Sequence, residues 1–222
     1  MFEFIVGWIF LLIVISLHES AHAWMADRLG DPTGRLAGRI TLNPLAHIDP
    51  IGTVLLPLLM AFSGIPIFIG WAKPTPFDPF NLRNPKVDSA KIAFAGPASN
   101  LIFAVILSVI IRVLDISSAI NFPIVYLLYT WLSLLLKVNV FLAVFNLVPI
   151  HPLDGFKVVG GFLSKEGYRS WLELERYGMI FLFLFLFPIF GSSPLLAFIN
   201  PVINFILSIL LPNSSNVLGG FI

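Results

Sequence analysis

Two histidines and a glutamate lie close together near the start of the chain, in the sequence His18-Glu19-Ser20-Ala21-His22. Residues four apart lie on one face of an α-helix, so the two imidazoles can bind the same tetrahedral zinc ion. Glu19 would lie beside the metal, where a carboxylate can accept a proton from water. The pattern therefore predicts a zinc site with an adjacent general base.

The five-residue pattern also occurs by chance, and its surroundings decide between the two interpretations. Residues 4–17 are almost unbroken apolar sequence, and apolar residues resume at 23–26. A charged side chain at the centre of a membrane-spanning helix costs about 2.5–3.5 kcal/mol on insertion scales, so such groups persist mainly where they bind an ion, pair, or line a wet cavity. The position of the pattern inside an apolar helix therefore favours metal binding.

A catalytic zinc site also needs a third protein ligand and an open position. The candidates in this sequence are His47, Asp49, His151 and Asp154. Asp154 is the only acidic residue between Asp115 and Glu166, and it directly follows apolar sequence, where a carboxylate needs a partner. A metal would be one partner, but Asp is also a good N-cap for a following helix, and spacing alone leaves both roles open. We expect His47 to be a hydrogen-bonding loop residue more often than a ligand. His151 could bind the metal, support a ligand from outside the set, or simply be exposed by its proline-containing loop.

The composition places the whole chain in a membrane. Hydrophobic residues make up 58% of its 222 residues and charged residues only 11%, whereas soluble domains are about 45–50% apolar and about 25% charged. The mean hydropathy is +0.94, so too little polar surface remains to cover a water-soluble globule. A net charge of +1 provides no basic surface for nucleic acid, and the absence of cysteine excludes disulfides, thiolate metal sites and cysteine nucleophiles.

The apolar runs predict an all-α polytopic membrane protein with about five transmembrane helices. These runs cover residues 2–26, 92–113, 122–149, 179–190 and 195–211. The first has no basic residue before Arg28, so we expect a retained helix rather than a signal peptide. No repeat or low-complexity linker divides the chain. This predicts one integral-membrane domain over 1–222, with a catalytic core at about 5–160 and C-terminal helices at about 177–211.

Residues 51–69 are apolar but interrupted by prolines and glycines, and they either cross the membrane or form a re-entrant segment. Lys and Arg concentrate in the loops at 27–50, 70–91 and 157–176, which the positive-inside rule places in the cytoplasm. Two of these loops flank 51–69 and share one side only if that segment is re-entrant, so we favour this form. The N-terminus is then outside and His18 lies about 21 Å along its helix. We expect a multi-pass protein of the cell membrane with its active site toward the cytoplasmic side.

Four further motifs accompany the histidine pair. They are Leu42-Asn43-Pro44-Leu45-x-His47-Ile48-Asp49-Pro50, Gly70-Trp71-Ala72-Lys73-Pro74, Ala95-Gly96-Pro97-x-x-Asn100, and Asn146-Leu147-x-Pro149-x-x-Pro152-Leu153-Asp154-Gly155. Over about residues 5–176, this combination resembles the site-2 protease family of zinc intramembrane metalloproteases. It is most similar to the short bacterial branch that lacks an inserted periplasmic domain.

The resemblance implies a zinc-dependent endopeptidase that cleaves membrane-anchored proteins in or near their transmembrane segments. It implies one zinc ion held by His18, His22 and Asp154, with Glu19 as the general acid/base. Asn146 is then expected near the zinc, where it orients substrate or stabilises the oxyanion.

The resemblance also implies a set of substrate-binding residues, namely Gly70, Trp71 and Asn100. Residues 70–76 are expected to form a β-like element next to the site, which could pair with an unwound substrate strand by edge addition. Asn100 is expected to support helix packing or line the cleft.

Three alternatives come from other functional classes. A prenyl-protein type membrane protease completes its zinc site with a later glutamate, but Glu166, Glu173 and Glu175 lie in no clear span. A membrane zinc-binding or transport protein would spread its ligands along a path across several helices. An inactive scaffold that binds transmembrane helices would not need an intact ligand set with an adjacent general base.

Overall fold

The computed structural model describes residues 2–63, 70–187 and 193–212, and this part of the chain is helical, with no β-strand. The all-α fold is therefore confirmed. The α-helices of these ranges are α1 (Phe2–Arg28), α2 (Thr33–Leu36), α3 (Leu56–Ser63), α4 (Pro85–Ile116), α5 (Pro123–Asn146), α6 (Asp154–Phe162), α7 (Lys165–Glu173), α8 (Glu175–Leu186) and α9 (Pro194–Leu210). Short 3₁₀ turns connect several of them, and a π-helical turn at Pro50–Leu55 leads into α3.

Three helices, α1, α4 and α5, are long and apolar enough to cross a membrane. Both α4 and α5 begin with a proline. The backbone N–H that proline lacks has no partner within the helix at this position. Helices α8 and α9 fall in the fourth and fifth apolar runs and have 12 and 17 residues, fewer than the about 20 that a perpendicular span needs. Residues 188–190 of the fourth run lie outside the described residues. The protein is thus a polytopic membrane protein with three long apolar helices and shorter ones beside them.

Helix α4 is the centre of the bundle and packs against α1, α5 and α6. The core between the helices is apolar. It includes Val14 of α1, Leu107 and Ile111 of α4, Leu136 of α5 and Ile199 of α9, each at most 3% exposed. Large apolar side chains also cover the outer faces of the helices. In water such faces would be unfavourable, so their exposure fits contact with lipid.

The region between α1 and α4 combines short helices with irregular stretches. The described helical stretch at 50–63 is about 21 Å long, short of the about 30 Å hydrocarbon layer. The remainder of the apolar run 51–69, residues 64–69, lies outside the described residues, so its re-entrant or spanning form stays a prediction. Residues 70–78 are extended without forming a strand. They are held by Trp71 N–H, which donates to Gly52 O over 3.3 Å, and by Lys73 N–H, which donates to His47 O over 3.0 Å.

Candidate metal centre

His18 and His22 project from α1 into the interface with α4, where both are less than 9% exposed. Their rings meet edge to face with centroids 4.6 Å apart. The space for them exists because residue 96 of α4 has no side chain. A Cβ on Gly96 would lie 2.5 Å from the His22 ring and 2.7 Å from the His18 ring, closer than real Cβ contacts. The glycine of the Ala95-Gly96-Pro97 motif therefore has a direct packing role at the site.

Asp154 reaches both histidines from the first turn of α6. Its Oδ2 lies 3.1 Å from His18 Nε2 and 3.2 Å from His22 Nε2. Leu153 occupies the N-cap position and no side chain caps α6, so the alternative role of Asp154 as an N-cap does not apply. A Cβ on Gly155 would lie 2.2 Å from Leu147 O, so only glycine allows the backbone to pass this close to the end of α5.

The other candidate ligands lie elsewhere. The buried His47 has Nε2 2.9 Å from Thr41 O. Asp49 caps the π-helical turn by accepting from the amides of residues 51 and 52. His151 Nδ1 lies 3.4 Å from a Glu175 carboxylate oxygen. Among the described residues, the group of His, Asp or Glu side chains close enough to share a metal ion consists of His18, His22 and Asp154, whose donor atoms lie within 4.8 Å of one another.

The hydrogen bonds behind the rings prepare the site for a cation. His22 Nδ1 lies 2.7 Å from Ile92 O, a carbonyl that can only accept, so Nδ1 carries the proton. The His22 Nε2 lone pair then points at the Asp154 carboxylate. Two electron-rich atoms at 3.2 Å repel unless a proton or a cation lies between them. Zinc bonds of about 2.0–2.2 Å place tetrahedral ligand atoms about 3.3 Å apart, so this donor set fits a zinc ion.

Glu19 is held beside the histidines by the extended segment. Its Oε2 accepts from Thr75 N–H over 2.8 Å, and its backbone carbonyl accepts from Thr75 Oγ1 over 3.0 Å. The flanking residues Pro74 and Pro76 have no N–H, so Thr75 supplies the one backbone donor of this three-residue stretch. Thr75 lies just after the Gly70-Trp71-Ala72-Lys73-Pro74 motif and is not part of it, although the isolated N–H between two prolines is a signal that the sequence does contain.

A cavity of about 160 Å³ opens at this cluster. Its lining includes the three candidate ligands together with Glu19, Thr75, Phe77, Asn146 and Lys157. Asn146 Nδ2 donates to Leu142 O of its own helix over 3.0 Å, so its side chain is oriented by α5. Lys157 Nζ lies 4.9 Å above the ring of Phe77. Lys157 was missed from the sequence, although its spacing of three from Asp154 places both residues on one side of α6.

The three residues expected to bind substrate lie outside this lining. Trp71 is half exposed and packs over Gly52, where a Cβ would lie 2.3 Å from the indole ring. A Cβ on Gly70 would lie 2.7 Å from Gly52 O, so the segment passes close to the turn at residue 52. Asn100 is fully buried, and its Nδ2 lies 3.1 Å from His18 Nδ1. Their expected contacts with substrate stay predictions.

Comparison with known proteins finds several named as zinc metalloproteases. The chain is 34% identical over 194 residues to "Putative zinc metalloprotease YwhC" of Bacillus subtilis, which covers 86% of the chain and 84% of that protein. It is 31% identical over 176 residues to "Putative zinc metalloprotease Rip2" of Mycolicibacterium smegmatis, covering 79% of the chain and 63% of that protein. It is 29% identical over 161 residues to "Zinc metalloprotease MJ0392" of Methanocaldococcus jannaschii, covering 72% of the chain and 35% of that protein.

No family model matches the chain, and no solved structure matches it. These relatives are named as zinc proteins, and two imidazoles with a carboxylate are a donor set that suits zinc. Zinc is the cofactor.

Proposed function

The chain belongs to the same zinc metalloprotease family as YwhC, and from this premise we propose that it is an intramembrane endopeptidase of the site-2 type. It hydrolyses peptide bonds in or near the transmembrane segments of membrane-anchored proteins, and it represents the short bacterial branch. The observation that carries the proposal is the position of the ligand cluster. His18, Glu19 and His22 lie on α1, which is a candidate membrane span, and they line a cavity together with Asp154.

The residues that would hold the zinc are His18, His22 and Asp154. When bound, zinc acts as a Lewis acid that lowers the pKa of water and polarises a peptide carbonyl. The ring nitrogens that face away from Asp154 have partners in the protein. Ile92 O contacts His22 Nδ1, and Asn100 contacts His18 Nδ1. Such outer partners orient metal-binding imidazoles and raise their basicity.

Glu19 is the proton carrier of the proposed mechanism. It accepts a proton from the attacking water and returns it to the leaving amide nitrogen. The Thr75 N–H orients its carboxylate by donating to Oε2 over 2.8 Å, which leaves Oε1 for the water. Asn146 lines the same cavity, where a second N–H of its amide can donate to the oxyanion that develops on the substrate carbonyl.

The extended segment beside the cavity supplies a backbone edge for substrate. Residues 71, 73 and 75 direct their N–H groups into the protein, where the acceptors are Gly52 O, His47 O and Glu19 Oε2. Successive residues of an extended chain point their backbone groups in opposite directions. Ala72 and the Pro74 carbonyl then face the other way, and neither has a partner among the described residues. An unwound substrate strand would pair there, with Gly70 and Trp71 at the start of the edge.

The location of the protein follows from its loops. The loops at 27–50, 70–91 and 157–176 are rich in Lys and Arg, and the positive-inside rule assigns them to the cytoplasm. The ligand cluster lies near the C-terminal end of α1, close to the first of these loops. We therefore assign the protein to the cell membrane, with the cavity open toward the cytoplasmic side and with membrane-anchored proteins as its partners.

The proposal is tested with the full chain, purified and reconstituted with a single-span test protein. Glu19→Gln should abolish cleavage, because the amide cannot carry the proton, and it should retain most of the bound zinc. The matched control is Glu173→Gln, the same change at an exposed glutamate at the end of α7, which should cleave normally. Mass spectrometry of the products identifies the scissile bond. Cleavage by Glu19→Gln at the wild-type rate, or zinc binding without any cleavage by the wild-type protein, would contradict the proposal, and the second result would indicate a zinc-binding protein.

A further inference from the structure

Asn100 combines complete burial with an unsatisfied side-chain atom. It lies in the middle of α4 with 0% exposure, and its Nδ2 lies 3.1 Å from His18 Nδ1. Its Oδ1 has no hydrogen-bond partner among the described residues. The oxygen and nitrogen of an amide have nearly the same shape, so the same pocket can hold the Asn100 side chain in either of two orientations.

The two orientations differ in what they require of His18. With Nδ2 toward the ring, Nδ1 accepts and the proton of the neutral imidazole lies on Nε2, which then donates to Asp154 Oδ2 at 3.1 Å. After a half-turn of the amide, Oδ1 faces the ring and accepts the proton on Nδ1. The Nε2 lone pair is then free to bind zinc.

His22 has no such choice. Its Nδ1 faces the backbone carbonyl of Ile92, which can only accept, so the Nε2 lone pair of a neutral ring always points into the cluster. The two rings of the histidine pair are thus held by different kinds of partner. One partner is a backbone acceptor that permits a single tautomer, and the other is an amide that permits both.

We propose that Asn100 is a positioning residue that sets the tautomer of His18. It accepts through Oδ1 from Nδ1–H when zinc binds to Nε2 of His18, and it donates through Nδ2 to Nδ1 when Nε2 carries the proton. An amide is neutral and offers both a donor and an acceptor, so the Asn100 side chain can pair with the buried ring in both tautomers. This inference rests on the zinc site of the proposed function and not on peptide hydrolysis.

The test measures zinc affinity of the purified full chain in detergent by competition with a chelator. Asn100→Leu removes both donor and acceptor and should weaken zinc binding by about 10–100-fold, as loss of an outer partner typically does. Asn100→Asp keeps an acceptor at the same place and should retain zinc affinity close to the wild type. The matched control is Asn139→Leu on α5. Within the described ranges, Asn139 is also fully buried and its Oδ1 has no partner, but its Nδ2 donates to Leu135 O of its own helix and not to a histidine. It should bind zinc normally.

Several results would overturn the inference. Asn100→Leu with wild-type zinc affinity would remove the role in metal binding, and Asn100→Asp as weak as Asn100→Leu would show that the acceptor does not matter. Equal losses in Asn100→Leu and Asn139→Leu would indicate helix packing alone. If the leucine variant does not fold, Asn100→Ala removes the same group with a smaller side chain and carries the same expectation. Because affinity is measured without a substrate, an inactive protease that binds zinc leaves this result interpretable.

Discussion

Two carboxylates of the protein lie in contrasting surroundings, the buried Asp31 after α1 and the partly buried Asp154 at the start of α6. Asp31 is 0% exposed, and fixed donors surround it. It accepts from the amide and hydroxyl of Thr33, from Asn81 Nδ2 over 2.8 Å and from the Asp78 amide over 2.8 Å. Asp154 instead presents Oδ2 to two imidazole nitrogens at 3.1 and 3.2 Å.

The difference that matters for metal binding lies in the donors that surround each carboxylate. Amide and hydroxyl hydrogens stay on their atoms near neutral pH, so the site of Asp31 is closed to a cation. An imidazole nitrogen can hold a proton or offer a lone pair, so the site of Asp154 can exchange its protons for zinc. Asp31 therefore stabilises the fold, and it ties the end of α1 to residues 78 and 81, just beyond the segment that holds Glu19. Asp154 is available for chemistry.

The largest expected effect is the loss of zinc affinity when the Asp154 carboxylate is replaced by an amide. The same replacement at Asp31 serves as the comparison. Asp154→Asn should lower zinc affinity by more than the roughly 10–100-fold that loss of an outer partner costs, because it removes the anionic member of the proposed ligand set. Asp31→Asn should leave zinc affinity near the wild-type value. Metal analysis after dialysis, with chelator competition, checks both variants. The comparison fails if Asp31→Asn loses as much zinc as Asp154→Asn, or if Asp154→Asn loses none.

The second prediction concerns the space that Gly96 leaves for the rings of His18 and His22. Gly96→Ala places a Cβ 2.5 Å from the His22 ring, so the rings must move and zinc affinity should fall by about tenfold or more, the loss expected when the outer structure of a metal site is disturbed. The same change at Gly7 of α1 meets nothing within 4 Å and should bind zinc normally. Chelator competition on the two purified variants measures the difference in zinc affinity. Equal zinc affinities would mean that α1 and α4 can move apart enough to accommodate the added methyl group.

The smallest expected effect is on the free energy of unfolding, through the loss at acid pH of the stability that Asp31 contributes. Burial works to raise the pKa of Asp31, but hydrogen bonds from Thr33, Asn81 and the Asp78 amide outweigh it and hold the pKa below its ordinary value. A carboxyl whose pKa is lower in the folded state adds stability above its unfolded pKa of about 3.9. That stability is lost as the pH falls through the folded pKa.

Replacing Asp31 by asparagine should therefore destabilise the protein at neutral pH by about 1–3 kcal/mol, the cost of leaving buried donors unsatisfied. The gap to the wild type should narrow as the pH falls below about 4. Thermal unfolding in detergent over a series of pH values measures this gap. A constant gap at all pH values would mean that the charge on Asp31 contributes nothing.

Several parts of the site could be predicted because they depend on local geometry. Helical periodicity alone places His18 and His22 on one face with Glu19 beside them, and the apolar runs alone predict the all-α membrane fold. Other contributors depend on contacts between separate elements. The Ile92 carbonyl is a backbone atom, and Thr75 and Lys157 act through contacts that depend on how residues 70–78 and α6 pack against α1.

Composition and the pitch of one helix are enough to predict a helical membrane protein with two imidazoles that can share a metal ion and with a carboxylate beside them. The role of Asp154 depends instead on how separate helices pack. Asp154 is 136 residues from His18 in the chain, and capping and metal binding suit an aspartate at a helix start equally well. The close approach permitted by Gly155 and the space left by Gly96 bring its carboxylate to both rings, and no pattern within a single element contains that contact.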